Sequence, residues 1–508
     1  MWQATNEEYI AMKQPARSHV TGIIGLRIPT NAAPWIIGLM GFLVAFAGSW
    51  VPSFWNDEIA TISAARRSSA ELLDLLRTVD AVHGAYYFLM HLWTSVFGFS
   101  EVSMRLPSAI AGGLACTGTV VIGQKLGSLF IGSAAGIVLA FLPRMAWAGT
   151  EARQSALIAL FAVVMTLLLI RAWTSGRVLD WALYALCAAA GVYVFMFFAL
   201  AIAAHVIAAV VLRRQVLALL LSSLAAALAA SPFLLVALGQ KGQVAWIQDR
   251  SLLQNIQALA VKQFFYGDDR PTGNLPPSWV LGAVVVLGLL QVGLVVLGLI
   301  HAARKPEFRT LAVVGTSAVV LPIAVLLMAS VLIQPVYVPR YLTFTAPMFA
   351  LLVALGLDKV RNLGTRKLAF VAGMVILASL PQQLPLKSLV NEPADTERHI
   401  AALVEADGSG PAAVVYGRPE DRDPALAYPA SFTRLTDLSL QATPAESGTL
   451  WGVNKAVTPA ELKHRGTVYF IGEGEASVPD PGAFQEAGCT RIKNVVTVRL
   501  RFVSYNCT

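Results

Sequence analysis

VHGAYYFLMHLWTSVFG, residues 82–98, is the stretch on which the architecture turns. It is about the minimum length that crosses ~30 Å of hydrocarbon. His83, Tyr87, His91 and Thr94 fall at helical spacing along one side and the other side is rich in aromatics, a pattern that suits a helix lying in the membrane interface. Around it lie eleven apolar runs long enough to span, near 34–50, 104–124, 127–146, 154–173, 179–196, 197–212, 216–238, 278–300, 310–333, 341–357 and 368–386. With 82–98 flat and the N-terminus cytoplasmic, the loops holding Lys125, Arg171/Arg177, Arg213/Arg214, Arg304/Lys305/Arg309 and Lys359/Arg361/Arg366/Lys367 share one side. That side carries 15 basic and 5 acidic residues, against 12 and 10 on the other. If 82–98 spans, every short basic loop moves outside. Positively charged loops stay on the cytoplasmic side, which selects the flat reading. Segments 51–103, 144–153, 239–277 and 334–340 then share the outer face.

Composition agrees. Of 508 residues 56% are hydrophobic and 13% charged, and the mean hydropathy is +0.63. Soluble domains carry about a quarter charged residues, so a soluble enzyme, a disordered tail and a nucleic-acid module are excluded. The net charge of +8 is unevenly spread: residues 1–387 hold 27 basic and 15 acidic residues, residues 388–508 hold 11 and 15. This predicts a cytoplasmic N-terminus (1–33), a polytopic α-helical membrane domain (34–387) and a small extracytoplasmic domain (388–508). No cleavable leader is read, and Pro34–Trp50 is an uncleaved first span. Four cysteines without a C-x-x-C pair exclude a zinc ribbon or thioredoxin-like site. Cys116 and Cys187 lie in apolar runs as packing residues, whereas Cys489 and Cys507 can pair if the tail faces an oxidising compartment.

The first outer loop, SFWNDEIATISAARRSSAELLDLLRTVDAVHG (53–84), carries the chemistry. Asn56 is placed to cap a helix running to about Arg67, and Ser68 with Glu71 forms a capping box for a second. Asp57 and Glu58 stand just after the first span, where a carboxylate is costly unless solvated or used. Asp80 and His83, at the loop's far end, can converge on the same pocket.

W-x-D-E after the first span, D-x-x-H-G-x-Y-Y-x-L-M-H-x-W, and S-E-x-S-x-R-L-P-S-A (Ser100 to Ala109) together resemble the GT-C glycosyltransferase superfamily. The likeness is nearest to bacterial, actinobacterial relatives of protein O-mannosyltransferases and of the lipid A aminoarabinose transferase. LPRMAWAGTEARQSAL (142–157) and YVPRYLTFTAP (337–347) also fit. The resemblance covers about 34–386. It implies a bacterial plasma-membrane enzyme that takes one sugar, mannose or another hexose or pentose, from a polyprenyl-phosphate donor on the outer face. The acceptor would be an envelope glycan, lipid or exported protein.

By this resemblance Asp57 is the catalytic base, accompanied by Glu58, and Arg153, Arg340 and Tyr341 are donor-site residues, with Glu151 beside Arg153 as a substrate-binding candidate. Arg144 is a further donor-phosphate candidate on the same loop as Arg153, and Asp80 and His83 are substrate-binding candidates. Many relatives have His-Pro-Pro where this chain has His83-Gly84-Ala85. Physical chemistry supports the arginines, whose planar fork meets phosphate oxygens bidentately and keeps its proton. Attack at the anomeric carbon by an acceptor deprotonated by Asp57 would invert configuration. A divalent metal could bridge Asp57, Glu58 and the donor phosphate, a choice the sequence leaves open, and no other cofactor is implied.

In loop 239–277, Trp246, Phe264, Phe265 and Tyr266 can hold lipid or sugar, while Asp268 and Asp269 read as a solvated turn. In the tail, 397–405 reads as a helix, 412–416 and 467–471 as buried parallel strands, and 495–505 as an edge or hairpin strand. Gly472-Glu473-Gly474 lacks a nucleotide fingerprint. A small α/β domain that docks over the site or contacts acceptor follows. The alternative is a transporter or flippase for a lipid-linked substrate, for which internal repeats and ionisable midplane spans are the signature; neither is seen.

Overall fold

The computed structural model describes residues 20–21, 27–28, 31–267, 277–384, 387, 396–408, 410, 412–473, 482–497 and 499–508. Asp268, Asp269 and Gly474 lie outside the described residues. Each of the eleven apolar runs is helical: α1 (Ala33–Phe46), α5 (Glu101–Leu126), α6 and α7 (Leu129–Phe141 and Pro143–Gly149), α8 (Ser155–Ser175), α9 (Val178–Val194), α10 (Ala199–Leu212), α11 (Val216–Gly239), α13 (Ser278–Ala303), α14 (Arg309–Leu332), α15 (Ala346–Arg361) and α16 (Thr365–Ser379). Among the described residues six are long and apolar enough to cross a membrane, counting α14 and α15 with the short turns that precede them. The α6–α7 pair, bent by 65°, makes a seventh. Pro143 opens the second half of that pair, where it cannot supply the amide that would continue α6. The remaining runs form shorter helices.

Small residues set the helix spacing. A Cβ on Gly123 of α5 would lie 2.4 Å from the Cα of Gly132 in α6, and one on Gly356 of α15 would lie 2.1 Å from the Leu294 carbonyl oxygen of α13. No side chain fits at either crossing. A continuous core of buried residues, including Leu139, Trp147, Leu169, Phe198, Leu287 and Phe344, runs through these helices.

The first outer loop folds into three helices, α2 (Asn56–Ala65), α3 (Ser69–Thr78) and α4 (Gly84–Phe97). The Ser68–Glu71 box forms as read, the Glu71 carboxylate accepting the Ser68 amide at 2.8 Å. The cap of α2 differs: Trp55 is the N-cap and Asn56 is the first helical residue, its side chain engaged elsewhere. At fourteen residues α4 is about 21 Å long, the same length as α1 and α10, so its faces and not its length distinguish it. Leu89, Leu92, Val96 and Phe97 are exposed, while Tyr87 and Thr94 of the polar stripe are buried. The stripe therefore faces the protein, not water, and the apolar face turns outward.

The tail begins with α17 (Thr396–Ala406). Its sheet contains β1 (Ala412–Tyr416), β2 (Leu435–Asp437), β3 (Gly466–Glu473), β4 (Thr490–Val496) and β5 (Leu500–Cys507) in the order β2-β1-β3-β5-β4. β1 lies parallel to β2 and β3, and β5 runs antiparallel to β3 and β4. The run 495–505 is thus two strands. Thr497 turns the chain by accepting from the Leu500 amide and donating to its carbonyl, so β4 is the edge and β5 is interior. Cys489 and Cys507 form a disulfide across the hairpin's open end.

The tail is fastened to the membrane domain by polar contacts. Glu101, at the start of α5, accepts from Arg398 at 2.7 Å and Tyr428 at 2.9 Å. Arg67 donates to the Pro444 carbonyl at 2.9 Å, Thr78 to the Gly448 carbonyl at 2.7 Å, and Asn56 to Asp423 at 3.1 Å. Leu450 and Ala427 also enter the apolar cluster beneath α2, α3 and α4.

Candidate active site

A cavity of about 650 Å³ opens where these pieces meet. It is lined by Trp55, Asn56, Asp57, Asp80 and His83 from the first loop, Glu151 and Arg153 from the second, Gln243 and Trp246 from the third and Arg340 from the fourth, together with Tyr341, Glu420, Leu450, Trp451 and Arg499. All four segments that the charge count put on one face converge here with the tail.

Asp57 and Arg340 pair at 3.2 Å, their side chains 23% and 15% exposed, so both remain reachable from the cavity. The Arg340 guanidinium is boxed by the rings of Trp55, Trp246 and Tyr341 at 5.7, 5.4 and 5.9 Å. Tyr341 in turn packs on Phe195 and Phe197. Arg153 is buried. It donates to the Asp57 carbonyl at 3.0 Å and the Tyr87 hydroxyl at 3.4 Å, and its other Nη meets His83 Nε2 at 3.0 Å. Burial opposes its charge, but Tyr87, Asp57 and Asp80 together raise its pKa above the ordinary arginine value. The Tyr87 hydroxyl donates to Asp80 at 2.8 Å. Burial raises the Asp80 carboxyl, with Arg153 and Tyr87 opposing.

His83 is held neutral: burial, then Arg153 and Arg340, push its pKa well below the usual histidine value. Arg153 can only donate, so Nε2 is the acceptor and the proton sits on Nδ1, 2.8 Å from the Gln154 amide. The Gln154 side-chain nitrogen stands at that distance and its oxygen has no partner among the described residues, so exchanging the two ends of the amide supplies the acceptor that Nδ1–H needs. His83 thus orients Arg153 without adding charge.

Glu151 is different. It is 3% exposed, lines the cavity, and neither carboxyl oxygen has a hydrogen-bond partner among the described residues. Burial, then the Glu58 and Asp57 carboxylates, push it well above the usual range, with Arg340 and Arg153 opposing. The folded protein therefore keeps a proton that the unfolded chain releases. Its contribution to stability is full below the ordinary carboxylate pKa and is lost as pH rises toward the folded value. Thermal unfolding of wild type and Glu151→Gln should run parallel below the ordinary carboxylate pKa, and the wild type should fall progressively behind as pH rises above it. Parallel curves throughout would contradict a raised Glu151.

Two expected site residues stand elsewhere. Glu58 is fully buried in the grip of Arg105, whose Nε and Nη2 reach its two oxygens at 2.7 and 2.5 Å, and it also accepts the Ala152 amide at 2.8 Å. Arg105 further binds the Ser49, Pro52 and Ser53 carbonyls. Glu58 is thus a positioning residue that fixes the start of α2 and so aims Asp57. Arg144 does not line the cavity; its guanidinium binds the Lys262 and Tyr266 carbonyls and lies over Trp147. It braces the α6–α7 bend, since buried carbonyls there need a donor. The two carboxylates that a bridging metal would need are turned apart: Asp57 faces Arg340 while Glu58 faces Arg105. Among the described residues no group of three His, Cys, Asp or Glu is placed to hold a metal.

Comparison with known proteins bears on the fold. The family profile for dolichyl-phosphate-mannose-protein mannosyltransferases matches residues 85–237. ArnT from Cupriavidus metallidurans in the apo state superposes with a TM-score of 0.59 at 11% identity, covering 93% of this chain and 97% of that one. The same protein bound to undecaprenyl phosphate gives 0.55 at 13% identity, with 94% and 97% covered. The fold is that of the GT-C superfamily. No curated protein sequence matches the chain. The GT-C reading of the sequence therefore holds at the level of fold, and the chain is a multi-pass membrane protein.

Within this GT-C frame the structure joins Asp57, Asp80, His83, Glu151, Arg153, Arg340 and Tyr341 in one cavity, with Trp246 at its wall. Phe264 and Phe265 instead pack in the core against Phe349. Sequence reasoning missed Arg105, Tyr87 and Gln154, and the tail residues Glu420, Trp451 and Arg499. Arg105 had a signal: an arginine at the head of a long apolar run needs a partner, and the acids of the first loop were the nearest supply.

Proposed function

We propose that the protein is a membrane glycosyltransferase that moves a single sugar, mannose or another hexose or pentose, from a polyprenyl-phosphate donor to a hydroxyl of an envelope glycan, lipid or exported protein. The carrying observation is the Asp57–Arg340 pair at 3.2 Å inside a cavity that also presents Arg153. In this reading the donor phosphate binds Arg340, with Arg153 behind it. Phosphate then replaces Asp57 as the partner of Arg340, freeing Asp57 as general base only when donor is present. Asp57 takes the acceptor hydroxyl proton, the acceptor oxygen bonds to the anomeric carbon, and the carbon–oxygen bond to phosphate breaks with its electrons going to the phosphate. Single displacement inverts the anomeric centre.

The test is the anomeric configuration of the product formed by full-length protein in nanodiscs; inversion is expected, and retention would contradict direct attack. Arg340→Lys should weaken donor binding about tenfold, roughly 1.4 kcal/mol, because an ammonium replaces two fork hydrogen bonds by one point contact. A titration with polyprenyl phosphate reads this directly, and unchanged affinity would remove Arg340 from the donor site.

A further inference from the structure

The cavity has a second wall that the donor reading leaves unused. Glu420, Leu450, Trp451 and Arg499 all come from the tail. Successive residues at the start of α2 serve different walls: Asp57 reaches Arg340, while the Asn56 amide donates to Asp423 of the tail at 3.1 Å. The candidate base therefore sits at the seam between a cationic wall and the tail wall.

The tail wall is rigid and chemically distinct. Arg499 bridges Glu397 at 2.6 Å and Asp423 at 2.7 Å, so two carboxylates answer its charge. Trp451 donates Nε1 to Asp423 at 2.7 Å, which fixes the indole plane and leaves its ring as the surface offered to the cavity. Glu420 lines the same wall, with the Arg418 charge within electrostatic reach of it. An aromatic face and a carboxylate on one wall match a sugar ring, whose C–H face packs on an indole while its hydroxyls donate to carboxylate oxygens. A lipid tail would offer the Glu420 carboxylate no hydrogen-bond donor.

We infer that the tail wall is the acceptor subsite and that the acceptor group it receives is a carbohydrate, stacked on Trp451 with its hydroxyls on Glu420. This rests on the transferase reading and assigns its acceptor class. In this reading a sugar seated there presents a hydroxyl to Asp57, and single displacement requires that it approach opposite the leaving phosphate.

The experiment uses full-length protein in nanodiscs with its donor, and hexose and pentose methyl glycosides, a glycolipid bearing the best of these sugars, and a threonine peptide as acceptors. Glu420→Gln and Trp451→Ala should each raise the KM for the glycoside about tenfold or more, with polyprenyl-phosphate affinity unchanged and Trp451→Phe close to wild type. A glycolipid preferred over the free glycoside, with the same response to both variants, places the sugar on a lipid and supports the subsite equally. Unchanged glycoside KM in both variants, equal weakening of donor and acceptor, or preference for the peptide regardless of Trp451 would overturn it. Donor hydrolysis to water by wild type separates the two levels: hydrolysis without any acceptor effect sinks the subsite alone, and no donor cleavage sinks the transferase reading with it.

Discussion

Asp57→Asn should lower the rate of sugar transfer by about 10²–10⁴-fold, the usual contribution of a positioned general base. The amide keeps the shape of the carboxylate but cannot take the acceptor proton. It also releases Arg340 from its 3.2 Å ion pair, so donor affinity should hold or tighten while kcat falls. That split separates loss of the base from misfolding, which would weaken both. Steady-state kinetics against donor concentration, paired with a polyprenyl phosphate titration, check it. Retained kcat would remove Asp57 from the reaction.

Arg105→Ala should destabilise the fold by about 3–5 kcal/mol, the cost of leaving a buried charge without its partner. Glu58 is fully buried and Arg105 is 2% exposed, and the Ser49, Pro52 and Ser53 carbonyls lose their donor at the same time. Since the lost bonds anchor the link from α1 to α2, activity should fall although Arg105 touches no part of the cavity. Arg105→Met with Glu58→Met should recover much of the stability, because a buried pair exchanged for apolar side chains of similar volume is often neutral. Thermal unfolding in one detergent compares the three proteins. A single mutant as stable as wild type would show that water reaches Glu58.

The membrane half was legible because apolar period and loop charge are local signals. They placed each helix and grouped the loops of 51–103, 144–153, 239–277 and 334–340, which the structure brings to one cavity. Local signals also found the Ser68–Glu71 box and the Cys489–Cys507 pair. What failed was partner choice. Asp57 and Glu58 are adjacent and chemically alike, yet one meets Arg340 and the other Arg105, because successive positions on a helix turn by about 100°. Arg144 and Arg153 share a loop, but the α6–α7 bend sends the former to the Lys262 and Tyr266 carbonyls. The neutral state of His83 and the unpartnered carboxyl of Glu151 depend on burial by distant segments, which no spacing encodes. The tail's share of the cavity was hidden for the same reason: Trp451 and Glu420 lie hundreds of residues from Asp57, in a domain whose strands could be read but whose docking face could not.

The most direct test of the account is donor consumption. Wild-type protein in nanodiscs is offered radiolabelled polyprenyl-phosphate sugars one at a time with an envelope glycan extract, and release of free polyprenyl phosphate is followed beside Asp57→Asn. The account predicts that one donor is consumed, that its sugar appears on the acceptor, and that both signals vanish in the variant. Consumption of none, together with movement of a labelled donor lipid across proteoliposomes, would contradict it and identify a transporter of lipid-linked sugar.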